Sequence, residues 1–233
     1  MPLPHPTLNL CFCSWKMAMI DHIFMLIDPG GPEIVQMREL GLLESYRRSH
    51  PGQGTRNVCY CFDNMFLELL WVDDPNAALS PTIGRTGLYD RSLWRSQDVC
   101  PFGIAWRSTA SGVEPAISTW AFTAPYLPAG VVIEVAEDSD DVRQPMMFRS
   151  PGSAPPIDWP PEKRGGLQHG CGLGGVQEIK LTMPAWAPPS EALKTIAAGS
   201  NPPLTLVQGQ VWDLEMRIAG LDGRSDMVLS IPN

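Results

Sequence analysis

Apolar and polar residues alternate along the chain in blocks of strand and helix length. Ile20–Ile27 (IDHIFMLI) is apolar and as long as a strand, and Asp28-Pro29-Gly30-Gly31-Pro32 ends it. Pro32 suits the first helical position, with Glu33 in the first turn. Apolar residues then recur at helical spacing through Glu33–Leu40, and Gly41 closes that helix. Leu42–Arg48 reads as a strand and His50–Asn57 (HPGQGTRN) as a polar, glycine-rich loop. Val58–Phe62 and Phe66–Val72 read as two strands joined at Asp63-Asn64, a hairpin signal. Residues 19–73 therefore predict the order β-α-β-β-β.

The same order returns near the C-terminus. Val176–Met183 predicts a strand, Ser190 caps a short helix over Glu191–Ala198, and Leu204–Gln208, Trp212–Ile218 and Met227–Ile231 predict three more strands. A repeated unit is a stronger signal than any one strand. Between the repeats, Gly103–Arg107, Val131–Val135 and Met146–Arg149 are strand-like, and Pro151–Pro161 (PGSAPPIDWPP) is a loop. The pattern divides the chain into an N-terminal arm outside the fold (1–16), a first module (17–74), a central insertion (75–166) and a second module (167–233). The expected fold class is α+β: paired β-α-β-β-β modules in a cupped mixed sheet, with a proline-rich insertion.

Composition sharpens this division. Of 24 prolines in 233 residues, 12 fall in residues 75–166. Prolines at this density break long helices, which excludes a helical bundle or coiled coil. The formal charge of -8 and only 17 Lys and Arg argue against nucleic-acid binding and against an anionic membrane surface. The longest apolar runs are strand-length, short of the roughly 20 residues that span a bilayer. Six cysteines are too sparse for a small disulfide-stapled secreted domain, and the first residues carry no basic leader. The expectation is reduced thiols in a cytoplasmic protein.

Asp21-His22 opening the first strand, the HPGQGTRN loop and the FLELL strand together resemble the glyoxalase-like domain of the vicinal-oxygen-chelate superfamily. That superfamily includes glyoxalase I, extradiol dioxygenases and fosfomycin-resistance proteins. The resemblance implies a divalent metal held by His22 and Glu68, on neighbouring strands. Glu178 takes the equivalent place in the second module, as a third ligand or a base. Leu229 or Ser230 stands where a fourth ligand, a glutamate, is expected. The implied function is a metal-dependent lyase, isomerase or dioxygenase acting on a small oxygenated molecule. The missing glutamate supports the alternative, a non-catalytic protein that sequesters a small molecule. The resemblance also allows modules to pair across a homodimer.

Spacing makes its own statement about the site. A two-residue turn at Asp63-Asn64 pairs Cys59 with Glu68 and Asn57 with Leu70, so Asn57, Cys59 and Cys61 share the face of Glu68. A carboxylate inside FLELLWV is costly unless paired or facing water. Cys59 is either a lining residue or a core filler. His50 and Arg56 suit an anionic substrate group, or else the loop is structural and its Thr55 and Asn57 satisfy backbone groups. His169 in LQHGCGLGG either enters the site from the second module or is a solvated loop residue. The eight tryptophans wall a pocket or fill the core. No phosphate loop, GxSxG or HExxH is present.

Overall fold

The computed structural model of the protein describes residues 18–108 and 114–232. The expected N-terminal arm, with Cys11 and Cys13, lies outside these. The strands are β1 (Ala18–Leu26), β2 (Tyr46–His50), β3 (Thr55–Cys61), β4 (Phe66–Val72), β5 (Phe102–Arg107), β6 (Thr119–Phe122), β7 (Ile133–Ala136), β8 (Met146–Arg149), β9 (Leu173–Pro184), β10 (Ser200–Asn201), β11 (Leu204–Gly209), β12 (Asp213–Gly220) and β13 (Met227–Pro232). The α-helices are α1 (Pro32–Glu39), α2 (Pro75–Ala78), α3 (Leu88–Ser92), α4 (Pro161–Arg164) and α5 (Glu191–Ala198).

One mixed sheet runs β2-β3-β4-β1-β5-β8-β7-β6, with β10 added beside the start of β1. In each half the first strand pairs parallel with the last, β1 with β4 and β5 with β8. The halves meet where β1 runs antiparallel to β5. The α+β class and the mixed sheet are those expected, but the strands that complete the sheet come from the middle of the chain. Residues 102–149, read above as an insertion, supply β5 to β8. Their prolines punctuate the strands from outside: Pro101 precedes β5, Pro145 precedes β8 and Pro151 follows it. A proline there forfeits no ladder hydrogen bond.

The C-terminal strands form a separate sheet, β11-β9-β12-β13. Their order along the chain is the expected one, yet the first strand, β9, lies between β11 and β12 instead of beside the last. This sheet packs α5 through Ala192, Leu193 and Ile196. Hydrogen bonds tie it to the large sheet. Asn64, in the β3–β4 turn, makes two 2.8 Å hydrogen bonds to the Val176 backbone. The Ser190 amide donates to Gln144 at 3.0 Å, and the Ala192 amide at the start of α5 donates to Asp138 at 2.9 Å.

Within the first half, the β3–β4 register is the one the turn predicts: Cys59 opposite Glu68, Cys61 opposite Phe66. Two strand edges differ from expectation. β2 starts at Tyr46 rather than Leu42, and β3 starts at Thr55, inside the loop the sequence suggested. Polar Thr55 and Asn57 read as loop residues, but both are buried and face the site.

Candidate functional site

The site grows from a bulge in β1. The β1–β5 register shifts between Ile20 and His22, so Asp21 and His22 both turn inward. Asp21 Oδ2 lies 2.8 Å from His22 Nδ1, and Asp21 Oδ1 lies 3.3 Å from the Arg107 guanidinium. Burial alone would raise the Asp21 pKa. The hydrogen bond from His22, the charges of His22 and Arg107, and a hydrogen bond from Ser150 outweigh it, and the carboxyl is held below its ordinary value. Asp21 is therefore an acceptor, and the proton between them sits on His22 Nδ1. This leaves His22 Nε2 turned to Glu68 Oε2, 3.6 Å away. Glu68 Oε1 accepts from Asn57 Nδ2 at 2.6 Å, and Asn57 Oδ1 in turn accepts from the Arg48 amide at 2.9 Å.

These groups form the floor of a pocket of about 190 Å³. Its walls are mostly aromatic and aliphatic, through Phe24, Phe66, Phe122, Tyr126, Met146 and Phe148, with Gln53 and Ser150 among them. The His22 ring stacks on Phe66 at 4.3 Å and meets Phe148 edge-on at 5.4 Å. His50 lines the rim beside Arg48. Its Nδ1 lies 2.8 Å from Thr55 Oγ1, and its ring packs 4.6 Å from Tyr126. Burial lowers the His50 pKa, and the Arg48 and His22 charges add to this against an opposing effect of Glu68.

Of the residues singled out from the sequence, His22, His50, Asn57 and Glu68 come together here. Cys59 shares their face but packs with Cys61, Phe66 and Leu167 in a small apolar cluster beside Tyr46. Burial pushes its thiol well above the usual value, so it stays protonated. Arg56 does not reach the pocket. It alternates with Thr55 and Asn57, points to the opposite face and pairs with Asp73 at 2.8 Å. His169 is part-exposed at the β3–β4 turn, with Nε2 2.5 Å from Asp63. Glu178 lies on β9 in the separate sheet, paired with Arg217 at 2.9 Å, and lines no part of the pocket. The sequence reading passed over Asp21, Arg48, Tyr126 and Phe148. Arg48 was within reach, because it pairs with Asn57 across β2 and β3. Tyr126 and Phe148 come from the half whose pairing is non-local.

The donor set can be tested against a metal. His22 Nε2 and Glu68 Oε2 are two donors at a spacing one ion could bridge. The matching positions across the seam are Gly103 and Ala105 on β5 and Met146 and Phe148 on β8, which continue the same face. They offer no carboxylate, imidazole or thiolate. Among the described residues no group of three or more His, Cys, Asp or Glu is placed to hold a metal. The residues do not fit the implied metal centre, and the implied role of Glu178 as its third ligand does not fit either.

No helix of the described residues is long and apolar enough to cross a membrane. Cys59, Cys61, Cys100 and Cys171 are free thiols.

Residues 20–131 match the glyoxalase-like domain family. The match runs past the first module through β5 and β6. No curated protein matches the chain in sequence. Similar solved structures include a hypothetical protein from Staphylococcus aureus, 12% identical, covering 93% of this chain and 86% of its own, with a TM-score of 0.42. The methylmalonyl-CoA epimerase of Mycobacterium tuberculosis is 14% identical over 60% of this chain and 91% of its own, with a TM-score of 0.38. A variant of 4-hydroxymandelate synthase from Streptomyces coelicolor is 12% identical over 94% of this chain and 63% of its own, also with a TM-score of 0.38. The likeness to the glyoxalase-like domain thus spans residues 20–131, just under half of the chain.

Proposed function

We propose that this protein binds a small, largely apolar molecule in the β1–β8 pocket without a metal centre. The observation that carries this reading is the make-up of the pocket: a lining that is mostly aromatic and aliphatic, with a few polar side chains, His22, Asn57 and Glu68 together and Arg48, His50, Gln53 and Ser150 elsewhere. Such a pocket desolvates an apolar body and orients it with a few polar groups. A metal-dependent lyase, isomerase or dioxygenase needs donors on the second half of the sheet, where Gly103, Ala105, Met146 and Phe148 stand.

A second reading keeps chemistry without the metal. Asp21 fixes the His22 ring so that Nε2 faces the pocket as a base, beside a buried carboxylate. That arrangement suits proton transfer in an isomerase or lyase.

Thermal unfolding separates these readings. Small aromatic ligands at about 100 times Kd should raise Tm by roughly 5–10 °C. Divalent metals and chelators should leave Tm and ligand affinity unchanged. A metal-dependent rise that His22→Ala and Glu68→Ala abolish would instead restore the metal enzyme. Exchange of ligand C–H hydrogens with solvent, lost in His22→Ala, would establish the proton-transfer reading.

A further inference from the structure

β2 turns alternate residues to the pocket. Tyr46, Arg48 and His50 line it, while Arg47 and Ser49 face the other way. Arg48 is exposed, so its guanidinium stands at the pocket mouth. Its neighbours fix it there. The Asn57 side chain accepts from the Arg48 amide at 2.9 Å, the guanidinium lies 4.4 Å from the Tyr46 ring centre, and Nη2 donates to the Lys163 carbonyl at 3.3 Å. Among the described residues no carboxylate pairs with Arg48, and the rest of its guanidinium fork has no protein acceptor. A guanidinium stays charged throughout the pH range of protein function. Its open fork matches the two oxygens of a carboxylate.

Two more cations stand at this rim. Lys163 and Arg164 end α4, just after Trp159, which packs edge-on against Phe66 of the pocket wall with ring centres 5.6 Å apart. Lys163 Nζ lies 4.5 Å from the Trp159 ring centre, and Arg164 donates to the Trp159 and Gly165 carbonyls at 3.1 Å each. Among the described residues neither has a carboxylate partner. Elsewhere in this acidic chain cations are answered: Arg47 pairs with Glu44, Arg56 with Asp73, Arg85 with Asp140 and Arg143 with Asp141. The rim therefore keeps positive charge that the rest of the surface cancels. Asp158 and Glu162, exposed on the same segment, reduce that field without pairing to any of the three. The lining carboxylate, Glu68, stands on β4, with β3 between it and β2. An anionic group is thus favoured at the Arg48 end, and an apolar body against the aromatic walls.

On the ground of the binding reading above, we propose that the ligand is a small organic carboxylate, its aryl or alkyl body inside the pocket and its carboxylate on the Arg48 guanidinium. At about 190 Å³ the pocket exceeds the roughly 150 Å³ that admits a benzene ring, leaving room for a short chain that reaches the mouth. Arg56, the arginine that the sequence offers for an anionic group, faces the other side of the sheet, and Arg48 takes that part.

The test is titration calorimetry of the full chain at pH 7 with 3-phenylpropionate, 3-phenylpropanol and 3-phenylpropylamine. These share the ring and chain and differ in the end group. The acid should bind at least about fivefold more tightly than the alcohol, with the amine weakest. Arg48→Gln removes the charge at an exposed position, and should cut the acid's advantage to about twofold or less while the alcohol is unaffected. Arg47→Gln, on the opposite face of β2, removes the same charge from the chain and should leave the acid's advantage in place. Equal binding of the three, or preference for the alcohol or the amine, overturns the carboxylate assignment and leaves the binding reading intact. So does an acid preference that survives Arg48→Gln, or one that Arg47→Gln removes equally. Binding of none of the three overturns the binding reading and the carboxylate assignment together. If Arg48→Gln does not fold, the wild-type order decides.

Discussion

The two halves of the large sheet have the same strand order and almost nothing else in common. β1 to β4 include an eight-residue helix and strands of five to nine residues. β5 to β8 have strands of four to six residues, and among the described residues none of their connections is an α-helix. The first half holds Asp21, His22, His50, Asn57 and Glu68. The second contributes mainly apolar surface to the pocket, through Phe122, Ile133, Met146 and Phe148. Strand pairing and chemistry are thus separable. Four short apolar strands suffice to repeat the pairing, and polar groups held by one half define the floor. The difference also explains why the pocket closes at the seam. Phe24 lies across Gly103, and a Cβ there would run into the Phe24 ring.

The strongest single tie across that seam is Arg107, at the end of β5. It is 4% exposed and donates to Asp21, to the Ile20 carbonyl and, at 2.9 Å, to the Asn64 carbonyl. Arg107→Leu strands a buried carboxylate and should cost about 3–5 kcal/mol in urea denaturation. A loss under about 1 kcal/mol would mean that the halves are joined by apolar packing alone. Gly103→Val should cost about 1–3 kcal/mol by overpacking against Phe24. It should also reduce ligand affinity, because the displaced ring has only the pocket to enter. Unchanged affinity would detach Phe24 from the pocket wall.

His50 tests the contact between halves on the opposite rim, where its ring meets Tyr126 from the β6–β7 connection. Burial holds its pKa below the ordinary 6.5. The folded state prefers the neutral ring, so this contribution is complete above pH 6.5 and declines as pH falls toward the lower folded value. Stability measured from pH 7.5 to 5 should therefore decrease in the wild type. His50→Gln should flatten the decrease. An identical slope in both proteins would remove His50 from the rim contact.

The first half was largely legible because its constraints are local. The Asp63-Asn64 turn sets the β3–β4 register, and that register puts Glu68 on the face of Asn57 and Cys59. Strand alternation places His22 on a face with Phe24 and Leu26. The same alternation sends Arg56 outward, which its setting in a basic glycine-rich stretch concealed. The second half was not legible. A four-residue strand carries little periodicity, and β5 finds β1 some eighty residues away. The C-terminal repeat of element order misled for a related reason. Order along the chain does not say which strand neighbours which, and β9 inserts between β11 and β12.

Glu178 gives the smallest expected effect and the cleanest separation of the C-terminal sheet from the site. Its carboxylate pairs with Arg217, with both side chains about half exposed. Exposed pairs of this kind contribute about 0–1 kcal/mol, because water and salt screen them. Glu178→Ala should therefore shift stability by under about 1 kcal/mol and leave ligand affinity within about twofold of the wild type. Glu68→Ala in the same titration should lose affinity by about tenfold or more, since it removes a polar group of the pocket floor and leaves the Asn57 amide without its acceptor. A matching loss from Glu178→Ala would bring β9 into the binding function. In this fold that requires the second sheet to reach the pocket from another copy of the chain, because within one chain Glu178 faces Arg217 and the pocket is closed by β5 to β8.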